Sequence, residues 1–210
     1  MSHESIPDQL IHTTVRLETT NAHGVRGSGT GFILQICKTE DGYIPVVVTN
    51  WHVVEGAKTM SFCMTIADDT GRPKFGAYES VTMDNPETMW SRHPDYPAVD
   101  LAVLPIAPVL EMFSNKGTKP YFRAFDPSSV ADEAYLTDLV AVEDVIMIGY
   151  PQGLWDDHNN LPIVRRGITA TPPAIRFKNK AEFVIDCACF PGSSGSPVIL
   201  YNMGGHIAKG

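Results

Sequence analysis

The chain has 210 residues, of which 43% are hydrophobic, and this length suffices for one large or two small β-type domains with cores of their own. Lysine and arginine number 16 against 24 aspartates and glutamates, so the formal net charge is −8. The basic residues are scattered, and this balance argues against a nucleic-acid partner and against binding to an anionic membrane.

Short apolar runs follow one another along the chain, separated by Gly, Pro, Asp and Asn. In the first run, residues 11–18, Ile11, Thr13, Val15 and Leu17 alternate with polar neighbours, the period of two of a half-buried strand. The other runs are 29–37, 43–50, 59–67, 100–107, 142–150, 163–170, 182–189 and 196–202. Many short strands with turn residues between them, and hardly any helical pattern, predict an all-β sandwich or barrel.

The strand pattern loosens between Pro105 and about Val140, which predicts a connection between two halves. The predicted domains are an N-terminal tail (1–10), a first β-barrel (11–107), an inter-barrel linker (108–140) and a second β-barrel (141–210). Arg165 and Arg166 are neighbours in one predicted strand, and we interpret them as a pair of charges at a strand edge.

The start of the chain has no basic region followed by an apolar stretch, and no run reaches the roughly 18 apolar residues of a spanning helix. The four cysteines, Cys37, Cys63, Cys187 and Cys189, are too few and too irregularly placed for a disulfide framework. We expect buried free thiols, which suit a reducing compartment. The expected location is therefore the cytoplasm.

The stretch "ACFPGSSGSPV", residues 188–198, joins two apolar segments and carries three serines. Serine, glycine and proline are ordinary loop residues, so the stretch alone is more typical of a tight bend than of a reactive site. A serine hydroxyl becomes a nucleophile only with a base and with a group that orients this base.

His52 and Asp100 stand where these two partners are expected. His52 follows the apolar strand "VVVTN", and the end of a rigid strand holds a general base well. Asp100 precedes the apolar run "LAVL", where a carboxylate stays ionised and partly shielded from water, although capping of a turn is the ordinary alternative. With Ser194 the order is His, Asp, Ser. The α/β-hydrolases have the reverse order, and they have Gly two residues after the nucleophile, where this chain has Ser196, so this class is excluded.

Taken in order, "TNWHVV", "DLAVL" and "PGSSGSPV" resemble the trypsin-like (chymotrypsin-fold) serine peptidases, most of all the bacterial branch that includes the HtrA (Deg) proteases. The stretches "GSGTGFIL" (27–34) and "IMIGYPQGL" (146–154), together with Asp186, support the resemblance, which covers roughly residues 11–202. It implies two antiparallel β-barrels with the active site between them. Family members usually continue for several strands after the reactive serine, so we expect the second barrel to be incomplete at the C-terminus.

The resemblance also implies a role for each matching residue. Ser194 would be the nucleophile, His52 the general base and Asp100 the group that orients His52. The backbone N–H groups of Gly192 and Ser194 would form the oxyanion hole. The primary substrate pocket would be lined by Ala188, Cys189, Phe190 and Pro191.

Two positions depart from the digestive members of the family. Ala188 stands where trypsin-type members carry an Asp, so we expect a preference for small to medium apolar side chains and none for Lys or Arg. Ser193 stands where digestive members carry the Asp that pairs with a newly cleaved N-terminus. We therefore expect no activation by N-terminal cleavage.

The implied function is a serine endopeptidase that hydrolyses peptide bonds through an acyl-enzyme. Its partner would be a peptide or protein substrate, with no cofactor, no metal, no nucleic acid and no membrane. Two alternatives stay open: a non-catalytic module that binds peptide or protein, and an enzyme that hydrolyses non-peptide esters. The sequence sets neither the physiological substrate nor the oligomeric state.

Overall fold

The computed structural model describes residues 5–40 and 42–201, and its regular structure is mainly strand. Within this part of the chain, one sheet is formed by seven strands: β1 (Thr14–Asn21), β2 (Arg26–Thr39), β3 (Gly42–Thr49), β4 (Ala57–Ala67), β5 (Pro73–Asp84), β6 (Ser91–Arg92) and β7 (Ala102–Pro105). Their order across the sheet is β5-β4-β1-β2-β3-β7-β6, and every neighbouring pair is antiparallel.

The C-terminal part of the chain forms a second antiparallel sheet. Among the described residues it has four strands: β8 (Asp144–Gly149), β9 (Ile163–Thr169), β10 (Ile185–Asp186) and β11 (Val198–Leu200), in the order β10-β9-β8-β11. The prediction of an all-β protein with two antiparallel halves is confirmed. The end of the predicted second barrel, residues 202–210, lies outside the described residues.

The helices are short. They are α1 (Ile6–Leu10), α2 (Trp51–Val54), α3 (Ala107–Asn115) and α4 (Glu133–Asp138), with 3-10 turns at Pro86–Thr88, Pro127–Ser129 and Pro151–Gly153. Of these, α2 follows β3 after one residue, and α3 likewise follows β7 after one residue. Short helices of this kind connect the strands and do not form a layer of their own.

The core of the first half is built largely from every second residue along the strands, whose side chains point inward. In β1, Val15 and Leu17 are buried while Glu18 is exposed. In β3, which lies between β2 and β7, the whole apolar run 45–49 is buried. Phe62 on β4 and Phe113 on α3 belong to the same core. This buried core packs against the last residues of β3 and the first residues of β7, which lead to His52 and Asp100.

The predicted linker contains helices that its sequence did not indicate. In α3, Val109 and Phe113 are four residues apart, lie on one face and are buried in the first core. The prolines and glycine of this region are typical of loops, but here Pro108 lies in the first turn of α3, where a missing N–H costs nothing. The helix α4 begins at a capping Asp132, whose side chain accepts from the Tyr135 N–H. The domain boundaries at residues 107 and 141 stay a prediction.

Two strand predictions differ from the structure. The strand β5 was not predicted, because it lies at the edge of the sheet and exposes most of its first ten residues, so its sequence lacks an apolar run. The predicted strand 182–189 shrinks to Ile185–Asp186, since Val184 and the residues that follow Asp186 leave the ladder with β9.

The cysteines are free, but the prediction that they are buried is wrong: Cys37 and Cys189 are exposed and Cys63 and Cys187 are half-buried. In the described part of the chain no helix combines the length and apolar character needed to span a membrane.

Candidate active site

The pairing of β3 with β7 brings His52 and Asp100 together. Thr49, the last residue of β3, lies opposite Ala102, the first residue of β7, so the chain leaves one strand beside the point where it enters the other. His52 lies in the first turn of α2, and Asp100 lies two residues before β7. The Asn50 side chain joins the two segments, because its Nδ2 donates to the Asp100 carbonyl at 2.8 Å.

The Asp100 carboxylate contacts His52 at two points. Oδ1 accepts from the His52 backbone N–H at 2.9 Å, and Oδ2 lies 2.6 Å from the ring Nδ1. Partial burial raises the pKa of Asp100, but hydrogen bonds from the backbone and ring of His52 outweigh it and keep the pKa below its usual value. An ionised Asp100 therefore favours the proton on Nδ1 and leaves Nε2 free to accept.

Ser194 lies in the loop between β10 and β11, on the other side of the cleft. Its Oγ is 3.0 Å from His52 Nε2, and its carbonyl accepts from the Thr30 N–H at 2.8 Å. Asp100, His52 and Ser194 thus form one continuous chain of hydrogen bonds. The structure brings together all three residues that the sequence indicated.

Thr30 on β2 connects this loop to the first sheet. It is fully buried, and its Oγ1 donates to the Gly192 carbonyl at 2.9 Å and accepts from the Tyr150 N–H at 3.2 Å. Its own carbonyl accepts from Thr49 Oγ1 at 2.7 Å. Thr30 therefore fixes both sides of the cleft, since Thr49 begins the segment that carries His52.

Residues 190–194, here named the Ser194 turn, have the residue pattern of a type II turn. The Ser193 N–H donates to the Phe190 carbonyl at 3.0 Å, with Pro191 second and Gly192, at φ +92°, third. The Pro191 carbonyl accepts from the Gln152 N–H at 2.5 Å. Since the N–H and C=O of a trans peptide point in opposite directions, the Gly192 N–H points away from Gln152.

The two N–H groups expected to form the oxyanion hole are free. Among the described residues, neither the Gly192 N–H nor the Ser194 N–H donates a hydrogen bond. Unsatisfied backbone donors beside a serine hydroxyl are suited to bind a developing oxyanion.

The expected pocket residues, 188–191, lead into the Ser194 turn and form its first part, and all four are exposed to solvent. One contact in this segment was missed from the sequence. Arg165 Nη1 donates to the Ala188 carbonyl at 2.8 Å and to Ser193 Oγ at 2.7 Å, so the interpretation of Arg165 as a strand-edge charge is wrong. Only the alternation of β9, with one of two adjacent arginines facing inward, could have indicated this contact.

Thr30 was missed as well. A lone Thr between two glycines in "GSGTG" has no local pattern that reveals a partner more than 100 residues away. A buried polar residue inside a predicted strand is the one available signal, because a buried hydroxyl needs a partner.

Comparisons with known proteins give a family and a fold for this chain. The family model of the trypsin-like peptidase domain matches residues 29–207. The HtrA-type protease AlgW, in a variant form with a tripeptide, superposes with a TM-score of 0.51 at 20% identity, over 90% of this chain and 48% of that chain. A protease from M. tuberculosis, Rv3671c in its active form, has a TM-score of 0.48 at 16% identity, over 93% and 68% of the two chains. Deg5 has a TM-score of 0.48 at 16% identity, over 91% and 76%.

A search of curated protein sequences gave no match. The chain spans about half the length of the HtrA-type structure, whose likeness shows a shared fold. The family match covers most of the chain and includes His52, Asp100 and Ser194. The resemblance inferred from the sequence is confirmed, and the chain belongs to the family of trypsin-like peptidase domains.

Proposed function

We propose that the protein is a serine endopeptidase that uses Ser194 as nucleophile, His52 as general base and Asp100 as the orienting acid. One observation carries this proposal: the hydrogen-bond chain of 2.6 Å from Asp100 to His52 and 3.0 Å from His52 to Ser194. The His52–Ser194 distance lies within the range that proton transfer requires, and the shorter Asp100–His52 bond fits an orienting contact. Family membership supports the same reaction class.

In the first half of the reaction, Ser194 Oγ attacks the carbonyl carbon of the scissile peptide while His52 Nε2 accepts the hydroxyl proton. The carbonyl oxygen gains negative charge and accepts hydrogen bonds from the Gly192 and Ser194 N–H groups. Asp100 stabilises the imidazolium through Nδ1. When the tetrahedral intermediate collapses, His52 gives its proton to the leaving amine, and the acyl group stays on Ser194.

In the second half, a water molecule repeats the attack on the acyl carbon. His52 Nε2 accepts a proton from this water, the N–H groups of Gly192 and Ser194 again bind the oxyanion, and His52 returns the proton to Ser194 Oγ as the acid product leaves. Atoms balance over the two halves, because one water is consumed and one peptide bond is cleaved.

The proposed substrate is a peptide or protein. The exposed segment 188–191 is accessible to such a substrate. The four free cysteines support a reducing compartment, and we propose the cytoplasm.

Cleavage of casein by the purified protein tests the proposed reaction. The parent protein should cleave it, and Ser194→Ala, His52→Ala and Asp100→Asn should each lose cleavage while their circular dichroism spectra match that of the parent. Binding of peptide by the parent without any cleavage would instead support a non-catalytic binding module, and it would contradict the proposal.

A further inference from the structure

Two adjacent arginines on β9 face opposite sides of the second sheet, because side chains alternate along a strand. Arg166 is exposed and pairs with Asp144 on β8, with 2.9 Å between Nη2 and Oδ2. Arg165 points the other way. Its Nη1 donates to Ser193 Oγ in the Ser194 turn at 2.7 Å and to the carbonyl of Ala188, which lies before this turn, at 2.8 Å.

The Arg165 guanidinium is partly buried, and no carboxylate among residues 5–40 and 42–201 forms an ion pair with it. Its Nε and Nη2 are buried and have no hydrogen-bond partner among the described residues. Desolvation by partial burial lowers the pKa of Arg165. Holding a cation in this way opposes folding, because neither its charge nor two of its nitrogens are compensated. Its bonds to Ser193 Oγ and to the Ala188 carbonyl are the contacts that hold it there.

Ser193 links Arg165 to the rest of the Ser194 turn. Its hydroxyl accepts from Arg165 and also from the Phe190 N–H at 3.2 Å, while its own N–H donates to the Phe190 carbonyl at 3.0 Å. Two donors occupy both acceptor positions of the hydroxyl and fix its rotamer. The turn that directs the Gly192 N–H is closed by these bonds.

We propose that Arg165 is a positioning residue of the peptidase, which acts through Ser193 to hold the Ser194 turn in the conformation that presents the Gly192 N–H to substrate. The inference rests on the proposed function and adds to it a residue outside the triad and the oxyanion hole. Without the guanidinium, the Ser193 hydroxyl is free to rotate, the Phe190 N–H loses its acceptor, and the peptide of Gly192 is no longer held in one orientation.

The test measures the second-order rate constant for labelling by a fluorophosphonate probe in four proteins: the parent, Arg165→Met, Ser193→Ala and the double variant. Arg166→Met is the matched control, because it removes the neighbouring arginine from the solvent side of the same strand. Arg165→Met should lower the rate constant about tenfold or more, the equivalent of one lost charge-assisted hydrogen bond. Arg166→Met should label at the parent rate.

Ser193→Ala should give a loss similar to that of Arg165→Met, and the double variant should lose no more than the worse of the two, because both changes break the same contact. Parent-rate labelling of Arg165→Met, or losses that multiply in the double variant, would overturn the inference. A structural role alone would lower the unfolding free energy and leave the labelling rate unchanged.

Failure of the proposed function shows separately, as absence of labelling in the parent protein. The contact is then measured by the coupling between Arg165→Met and Ser193→Ala in the free energy of urea unfolding. Zero coupling would overturn the contact itself, and hence the inference, in that case too.

Discussion

The hydroxyl of Thr30 makes two hydrogen bonds, one to the Gly192 carbonyl and one to the Tyr150 N–H. Both partners are backbone groups buried where water cannot replace the lost bond. Removing the hydroxyl leaves an acceptor and a donor unsatisfied, and each costs about 1–3 kcal/mol. It also releases the Gly192 carbonyl, on the side of the Ser194 turn that faces the first sheet.

We therefore predict that Thr30→Val, which keeps the shape of the side chain, lowers both the peptidase rate and the unfolding free energy, whereas Thr30→Ser, which keeps the hydroxyl, retains most of both. Urea unfolding and hydrolysis of a peptide ester measure the two quantities. Equal activity in Thr30→Val and Thr30→Ser would contradict the role of the hydroxyl.

Asp100 determines which nitrogen of His52 carries the proton. Asp100→Asn keeps the size of the side chain but offers an N–H where Nδ1 needs an acceptor, so we predict a rate loss on the order of 10⁴. The fold should survive, because the Asp100 side chain is 47% exposed. Near-parent activity of Asp100→Asn would contradict the assignment of its role.

The same variant gives a pH signature with a definite sign. Since the folded-state pKa of Asp100 lies below its usual value, its contribution to stability is present above the unfolded-state pKa and is lost as the pH falls through the folded-state pKa. The difference in unfolding free energy between the parent and Asp100→Asn should therefore shrink as the pH is lowered through the acid range. A difference that grows on acidification would show that the pKa is raised instead.

At the scale of elements, the Ser194 turn depends on glycine at position 192. Gly192 has φ +92°, and a Cβ there would lie 2.5 Å from the Tyr150 carbonyl oxygen. Gly71 has a similar φ of +77°, and a Cβ at position 71 would have no heavy atom within 4 Å. The pair separates backbone strain, which both alanine variants share, from collision with neighbouring backbone.

We predict that Gly192→Ala loses peptidase activity by roughly 10²–10³, the usual effect of a lost oxyanion donor, and is less stable than the parent by more than Gly71→Ala is. Gly71→Ala should lose about 1–2 kcal/mol through backbone strain alone and keep its activity. Peptide hydrolysis and urea unfolding measure both variants. Full activity of Gly192→Ala would show that its N–H plays no part.

The elements also show what a sequence reveals. The strands β1, β3 and β8 were predictable because each carries an apolar pattern set by its own burial. Edge strand β5 and helix α3 were not, since one is mostly solvent-exposed and the other needs the first core to select it from a proline-containing segment. The proximity of His52, Asp100 and Ser194 was predictable from ordered motifs. Thr30 and Arg165 contact partners that are distant in the chain, and these contacts leave no local pattern.

At the scale of the molecule, the site exists only where the two halves meet. His52 and Asp100 are attached to the first sheet and Ser194 to the second. Hydrogen bonds of Thr30 and Tyr150 join the two halves, and the Tyr150 hydroxyl donates to the Thr14 carbonyl at 3.3 Å. Any change that separates the halves should break the hydrogen-bond chain before it unfolds either sheet.

Substrate preference also belongs to this scale, because a substrate that reaches both Ser194 and His52 would have to contact both halves. Ala188 carries no charge, and the Arg165 cation binds its carbonyl. A Lys or Arg side chain in the pocket would therefore have no anionic partner and would be repelled by Arg165. We predict cleavage after small to medium apolar residues such as Val, Ala or Leu. The preference should be graded, since one methylene is worth only about 1–3 kcal/mol.

Mass spectrometry of a digested peptide library measures this preference, with Ser194→Ala as the control for contaminating peptidases. A dominant Lys or Arg before the cleaved bond would contradict the prediction.

Activation of Ser194 by His52 is the core of the proposed mechanism, and the site and rate of modification by a fluorophosphonate probe test it. Tandem mass spectrometry should locate a single adduct on Ser194 in the parent protein, with no adduct on the neighbouring Ser193 or Ser196. The adduct should be absent from Ser194→Ala, and in His52→Ala it should form slower by orders of magnitude. An unmodified Ser194 in folded parent protein, or modification at the same rate in His52→Ala, would contradict the account.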